Sequence, residues 1–183
     1  MKLVILDRDG VINQDSDAYI KSLEEWHPYP SSIQAIVRLH RCGWKVAIAT
    51  NQSGIGRGYY TLATLRAIHE CLTNLVEQAG GEIAFIAYCP HRPEDCCECR
   101  KPKPGMILEI KRHLGLRTGD ECWMVGDSLR DIQAGLAAGC RTALVKSGNG
   151  NDTLGQLPQS ASETWVCQDL ADFTERLLQT VDH

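Results

Sequence analysis

The sequence predicts an α/β fold with a Rossmann-like, doubly wound and mainly parallel sheet. Short runs of nearly continuous apolar residues alternate along the chain with segments of helical spacing. Such runs are typical of strands that are buried on both faces, and this alternation is typical of a parallel sheet covered by helices. The length of 183 residues suits one domain. We therefore predict a single domain over residues 1–183 with an inserted loop at about 89–103.

Each element follows from one of these two patterns. Strands are predicted at residues 2–6, 44–49, 83–88, 122–125 and 142–145, and a last strand and helix within 165–181. Helices are predicted around residues 31–42, 61–79, 104–114 and 129–138. The apolar face of the second helix carries Leu65, Ile68, Leu72, Leu75 and Val76. Candidate helix caps are Thr61 and Ser128 at N-termini and Gly43, Gly80 and Gly139 at C-termini.

Composition and charge exclude several classes of protein. Hydrophobic residues make up 43% and charged residues 23% of the chain, a balance that argues against disorder. The net charge of −4 gives no basis for general nucleic-acid or membrane binding. The N-terminal apolar run is too short for a signal peptide, and no segment reaches the roughly 18 apolar residues of a membrane span. We expect a cytoplasmic monomer that acts on a small molecule, without nucleic-acid or membrane partners.

Polar side chains follow four of the predicted strands. They are Asp7 and Asp9, Thr50 and Asn51, Cys89 and His91, and Asp127. Because ligands of doubly wound sheets bind at the carboxyl ends of the strands, we expect these side chains to share one edge.

The carboxylates predict a magnesium site. Asp7 and Asp9 can reach one cation while Gly10 permits a tight turn, although an acidic turn without a metal is the alternative for this pair alone. Asp127 adds a third carboxylate, and such oxygen ligands suit Mg²⁺. Asp131 is either a further ligand or a first-turn acid that the helix dipole favours.

Donors for a phosphate are present at the same predicted edge. The charge of a phosphate must be neutralised before a carboxylate can approach it. Thr50 and the backbone amides of residues 50–54 can supply hydrogen bonds. Lys101 and Lys103, in the basic segment 100–105, are the candidate cations, and a solvated basic loop is the alternative.

The cysteines cluster in one loop. Nine cysteines in a chain that we expect to be cytoplasmic argue against a disulfide framework. Cys89, His91, Cys97 and Cys99 match the ligand set of a closed, structural zinc site, while Cys96 and Cys97 are alternatives on chemistry alone. Such a site would make the segment that carries Arg100 and Lys101 rigid.

Together, these motifs resemble the haloacid dehalogenase (HAD) superfamily. The resemblance spans residues 2–145 and implies a HAD-like fold without a large cap domain. It implies that Asp7 is the nucleophile and that Asp9 is the general acid and base. It implies that Thr50 and Lys101 stabilise the phosphoryl group. It also implies that Asp7, the backbone of Asp9, and Asp127 hold Mg²⁺ as the catalytic metal. Zn²⁺ would be structural, because protein ligands fill all four of its positions.

Within this superfamily, residues 50–58, the cysteine loop and residues 100–106 resemble the branch of sugar-bisphosphate and histidinol-phosphate phosphatases. The resemblance implies removal of the 7-phosphate of a heptose 1,7-bisphosphate in lipopolysaccharide or S-layer precursor synthesis, with histidinol phosphate as the alternative substrate. It assigns Arg100 to the second phosphate. The further substrate-binding candidates are Asn51, Gln52, Ser53, Asp15, Tyr19 and Arg57. Ser128 stands where some members have lysine. A phospho-accepting signalling domain and a zinc-stabilised binding module are the alternatives from other classes.

Overall fold

The computed structural model describes residues 1–181, and its centre is a six-stranded sheet in which every pairing is parallel. The strands are β1 (Lys2–Leu6), β2 (Lys45–Asn51), β3 (Phe85–Cys89), β4 (Glu121–Gly126), β5 (Arg141–Val145) and β6 (Trp165–Cys167). Their order is β3-β2-β1-β4-β5-β6, which is the order of a doubly wound Rossmann sheet. The predicted fold class is confirmed.

Seven helices occur in residues 1–181: α1 (Pro30–Arg41), α2 (Ser53–Gly56), α3 (Leu62–Gln78), α4 (Gly105–His113), α5 (Leu129–Ala137), α6 (Gly150–Leu154) and α7 (Leu170–Val181). Five correspond to predicted helices. Helices α2 and α6 were not predicted, because four or five residues are too few to show a helical period.

The sheet separates two hydrophobic clusters. Successive side chains of β1 point to opposite faces, so Val4 and Leu6 enter one cluster and Leu3 and Ile5 the other. The first cluster also contains residues of α1, α3 and α7, and the second contains residues of α4 and α5. Burial on both faces explains why the central strands are almost continuously apolar.

The structure corrects two details of the predicted elements. Leu75 is 36% exposed, because it lies at the outer edge of the apolar stripe of α3, beyond the residues that pack on the sheet. Thr50 and Asn51 belong to β2, and Cys89 is the last residue of β3, because Thr50 pairs with Tyr88 and Asn51 with Cys89. These pairings extend both strands to the edge that carries the polar groups.

The predicted helix caps agree with the structure. Thr61 Oγ1 accepts a hydrogen bond from the backbone N–H of Thr64, at 3.2 Å. Gly43, Gly80 and Gly139 each follow a helix C-terminus with φ of 82°, 86° and 69°. This left-handed conformation ends helices and favours glycine.

No folded insertion covers the carboxyl edge near β1. Residues 7–29, which connect β1 to α1, contain isolated bridges but no helix or strand. This agrees with the predicted absence of a large cap domain. Over residues 1–181, no helix is both long enough and apolar enough to cross a membrane.

Candidate active site and metal centres

A cleft of about 240 Å³ opens at the carboxyl edge of the sheet, where β1 and β4 lie side by side. This is the point at which the strand order reverses, and doubly wound folds bind ligands there. The predicted residues that line the cleft are Asp7, Asp9, Asp15, Tyr19, Asn51, Gln52, Ser53, Arg100 and Asp127. Thr50 and Lys101 lie buried beneath them.

Asp7 presents a carboxylate that is held on one side. Its Oδ1 accepts hydrogen bonds from Lys101 Nζ and from the backbone N–H of Arg8, each at 2.9 Å. Burial, followed by the negative charge of Asp131, raises the pKa of Asp7 well above its usual value. The carboxylates of Asp7 and Asp131 therefore repel each other, and a bound cation would reduce this repulsion.

Lys101 supplies the central positive charge of the site. Its Nζ lies 2.7 Å from Asp131 Oδ1 and donates to the carbonyl oxygen of Ala49 at 2.6 Å. Burial opposes the charge, but Asp131 and Asp7 outweigh burial and raise the pKa of Lys101. Lys103 instead forms an exposed ion pair with Glu98 at 2.6 Å. The geometry thus favours Lys101 over Lys103 as the cation near the phosphate.

Asp9 is held by three side chains. Its Oδ1 accepts from Arg8 Nε and Asn13 Nδ2, and its Oδ2 accepts from Gln52 Nε2, all at 2.9 Å. Burial would raise the pKa of Asp9, but the charge of Arg8 and these hydrogen bonds outweigh burial and lower it. Gln52 Nε2 also donates to Thr50 Oγ1 at 2.9 Å, which connects the predicted hydroxyl group to the acid.

Asp127 and Asp131 complete a carboxylate cluster with Asp7. One oxygen of each acid lies within 4.8 Å of an oxygen of the others. Burial, and then Asp131, raise the pKa of Asp127 to about 7. Asp131 also accepts from the Ser128 hydroxyl at 2.8 Å and its backbone N–H at 3.0 Å, so Asp131 caps α5 in addition to joining the cluster. Three clustered carboxylates, two of them buried, supply the oxygen ligands that suit a magnesium ion.

The turn at Gly10 allows this cluster to form. Gly10 has φ of 82°, and a Cβ there would overlap Asp127 Oδ2. Gly43 has the same φ of 82°, but nothing lies within 4 Å of its Cβ position. Alanine at either position would carry the same backbone strain, but only alanine at Gly10 would also displace Asp127.

We expect Gly10→Ala to lower kcat/KM by about 10²-fold, because displacement of Asp127 misplaces the reacting groups. Both Gly10→Ala and Gly43→Ala should lose about 1 kcal/mol of stability from the left-handed backbone. Phosphate release and thermal melts of the two variants measure this difference. Equal activity of the two variants would contradict the role of Gly10.

The cysteine loop brings together the predicted zinc ligands. Cys89 Sγ lies 3.6 Å from Cys97 Sγ and 3.2 Å from Cys99 Sγ, and His91 Nδ1 lies 3.3 Å from Cys99 Sγ. Zn–S bonds of about 2.3 Å place tetrahedral sulfurs about 3.8 Å apart, so the cluster needs only small adjustments to hold zinc. Cys96 is exposed outside this group. The geometry favours Cys97 over Cys96.

Cys97→Ser and Cys96→Ser form a matched pair of variants for this loop. We expect wild type and Cys96→Ser to contain about one zinc per chain, and Cys97→Ser to lose most of it and to melt at least about 5 °C lower. Metal analysis by mass spectrometry and thermal melts provide the measurements. Zinc loss from Cys96→Ser alone would contradict the ligand assignment.

The cysteine loop is followed directly by Arg100 and Lys101, which lie at the cleft. Asn51 Nδ2 donates to the carbonyl of Lys101, and the N–H of Lys101 donates to Asn51 Oδ1, both at 3.1 Å. Asn51 therefore fixes the backbone on which Lys101 is presented. Arg100 lies in the wall of the cleft, where burial and then the charge of Arg130 lower its pKa.

Other residues depart from the sequence analysis. Arg57 is exposed and lies outside the lining of the cleft, because the chain has turned away after α2. Arg130 and Asn149 also line the cleft, although their sequence context did not predict it. The backbone N–H of Asn149 donates to Asp127 Oδ2 at 2.8 Å, and Asn149 Nδ2 donates to Asp15 Oδ2 at 2.9 Å. The sequence feature that could have indicated a site residue at Asn149 is the Gly-Asn-Gly turn at 148–150.

A parallel sheet with an aspartate, a buried lysine and an acidic cluster at its switch point defines a HAD-type hydrolase. The HAD-hydrolase-like family model matches residues 98–173. The match favours a hydrolase over the signalling domain and the simple binding module.

Comparison with curated relatives identifies the family within that class. The chain is 56% identical over 178 residues to D-glycero-beta-D-manno-heptose-1,7-bisphosphate 7-phosphatase of Pseudomonas aeruginosa, covering 97% of this chain and 98% of the relative. Its counterpart in Neisseria meningitidis serogroup B is 51% identical, with 98% and 96% covered. The chain belongs to the family of D-glycero-beta-D-manno-heptose-1,7-bisphosphate 7-phosphatases.

A solved relative agrees with this assignment. D,D-heptose 1,7-bisphosphate phosphatase of B. bronchiseptica, in complex with magnesium and phosphate, superposes with a TM-score of 0.92. It is 52% identical to this chain, and the match covers 98% of this chain and 99% of the relative. The phosphatase class and the predicted branch are confirmed.

Proposed function

We propose that this protein removes the 7-phosphate of D-glycero-β-D-manno-heptose 1,7-bisphosphate through an aspartyl phosphate on Asp7. One observation carries the chemistry: Asp7 lies in the cleft with one oxygen held by Lys101 at 2.9 Å, beside the carboxylates of Asp127 and Asp131. The names of the relatives support the substrate.

In the first step, the free oxygen of Asp7 attacks the phosphorus atom, and the bond from phosphorus to the sugar oxygen breaks. For this step Asp9 must be protonated in the substrate complex; it gives that proton to the leaving oxygen, so the sugar leaves as an alcohol. Lys101 and Thr50 lie beneath the cleft, where donors can stabilise the phosphoryl oxygens. The product of this step is the acyl phosphate of Asp7.

In the second step, water attacks the phosphorus atom of the acyl phosphate and releases inorganic phosphate. Asp9, now ionised, takes the proton from that water, and Asp7 regains its carboxylate. Magnesium held by Asp7, the carbonyl of Asp9, and Asp127 would neutralise charge on the phosphoryl group in both steps. The zinc site would hold the loop that presents Arg100 and Lys101.

The charges at the rim of the cleft favour a bisphosphate. Arg100 and Arg130 both line the cleft, and neither sits in an ion pair among the described residues. A second phosphate can pair with guanidinium groups, whereas the cationic amine of histidinol phosphate would be repelled by them. Asp15 and Tyr19 line the same cleft, and we assign them to the sugar.

A panel of phosphate esters tests this proposal. It should contain both anomers of heptose 1,7-bisphosphate, histidinol phosphate, fructose 1,6-bisphosphate and a 3′-phosphorylated oligonucleotide. We expect kcat/KM for heptose bisphosphate to exceed the others by at least about tenfold, equivalent to about 1.4 kcal/mol, with the 1-phosphate left on the product. A tenfold advantage for histidinol phosphate would contradict the substrate assignment.

The biosynthetic role, cytoplasmic location, monomeric state and single-domain organisation stay predictions. The role follows from the substrate, since removing the 7-phosphate leaves a heptose 1-phosphate for activation to a nucleotide sugar. Size-exclusion chromatography with light scattering measures the oligomeric state.

A further inference from the structure

We infer that His69 is a positioning residue for the acid–base step, because it orients Asp9 through the buried guanidinium of Arg8. The inference rests on the proposed function, in which Asp9 exchanges a proton with the leaving alcohol. It extends that function to α3, a helix that contributes no other group to the chemistry.

The contacts form a chain of three side chains. Arg8 is fully buried. Its Nε donates to Asp9 Oδ1 at 2.9 Å, and its Nη2 lies 2.8 Å from the same oxygen. On its other side, Arg8 Nη1 lies 3.2 Å from His69 Nε2. A guanidinium has donors only, so His69 Nε2 must be the acceptor and the ring must be neutral.

The environment of His69 supports the neutral form. The ring is buried, and burial followed by the charge of Arg8 lowers the pKa of His69 to about 3. His69 is not part of the lining of the cleft, so it cannot pass a proton to the substrate directly. Its polar contribution is the acceptor that it offers to Arg8.

The rigidity of the guanidinium explains how this contact reaches Asp9. The N–H groups of arginine lie in one fixed plane, so an acceptor at Nη1 also sets the direction of Nε and Nη2. Nε donates to Oδ1 of Asp9 and Nη2 lies beside the same oxygen, while Asn13 also donates to Oδ1 and Gln52 donates to Oδ2. A general acid must align its proton with the leaving oxygen, and a supported carboxylate keeps that alignment.

The dependence on the leaving group distinguishes positioning from a structural role. His69→Leu removes the acceptor at Arg8. We expect its kcat/KM to fall about tenfold or more for a sugar bisphosphate, whose alkoxide must be protonated, and by less than about threefold for p-nitrophenyl phosphate, whose phenolate leaves without a proton. Because both substrates are assayed on one preparation, the ratio does not depend on the folded fraction. His69→Gln offers a carbonyl oxygen to Arg8 and should restore the ratio.

Two results would overturn the inference and leave the proposed function intact. One is an equal loss on both substrates, which indicates a structural role alone, and the other is no loss on either. A double-mutant cycle gives the second test: in an Asp9→Ala background, adding His69→Leu should change the alkyl-to-aryl ratio no further. A further change in that background would also contradict the inference. Failure of the proposed function would appear separately, as undiminished turnover of Asp7→Asn.

Discussion

Asp7→Asn should lower kcat by about 10⁴-fold or more, because the amide cannot serve as the nucleophile and the two-step route is lost. Asparagine keeps the shape of aspartate, and its carbonyl oxygen can still accept from Lys101 Nζ and the N–H of Arg8, which lie 2.9 Å from Asp7 Oδ1. The loss should therefore appear in turnover and not in folding.

Stability gives the internal control for this variant. Burial, and then the charge of Asp131, raise the pKa of Asp7 in the folded state. An acid with a raised pKa destabilises the fold at pH values above its unfolded pKa, so a neutral amide should leave Tm unchanged or raise it at pH 7. Asp152→Asn changes an exposed acid of α6 and should alter neither quantity. Turnover of Asp7→Asn within tenfold of wild type would contradict the nucleophile assignment.

Lys101→Met should lower kcat by about 10²- to 10³-fold, because a fixed cation at the phosphoryl group is lost. It should also lower stability by about 3–5 kcal/mol, since removing one partner of a buried ion pair leaves charge uncompensated. Lys101 is 2% exposed and pairs with both Asp7 and Asp131. Phosphate release, urea unfolding and thermal melts measure the two effects.

Lys103→Met is the matched control for this prediction. Lys103 is two residues away, but its side chain is 44% exposed and pairs with the exposed Glu98. Such surface pairs contribute about 0–1 kcal/mol, so Lys103→Met should be close to wild type in activity and in stability. Full activity of Lys101→Met, or loss of activity in Lys103→Met, would contradict the assignment of Lys101 as the cation at the phosphoryl group.

The fold and the central residues of the site could be predicted because both depend on order along the chain. Strands buried on both faces leave continuous apolar runs, and the residue after each run is placed at the carboxyl edge. Asp7 and Asp127 were found in this way, and they lie in the same acidic cluster. The zinc ligands were found because their spacing within one loop restricts their distances.

The remaining features depend on the direction of side chains in irregular segments. Arg8 follows a strand and carries a charge, so composition favours exposure, yet it is fully buried. Its burial follows from the contacts with Asp9 and His69, and His69 lies far away in sequence on α3. Asn149 reaches Asp127 from a polar connection that has no periodicity. Long-range contacts of this kind leave no local pattern.

Chemical trapping of the intermediate tests the central claim most directly. Asp9→Asn lacks the base for the second step, so the acyl phosphate should accumulate when this variant is mixed with p-nitrophenyl phosphate, a substrate whose phenolate leaves without a proton from Asp9. Borohydride reduces an aspartyl phosphate to homoserine, which peptide mass spectrometry can locate. We predict homoserine at position 7 and nowhere else, and only after incubation with substrate. An unmodified Asp7 in protein that still releases phosphate, or homoserine at another aspartate, would contradict the aspartyl phosphate on Asp7.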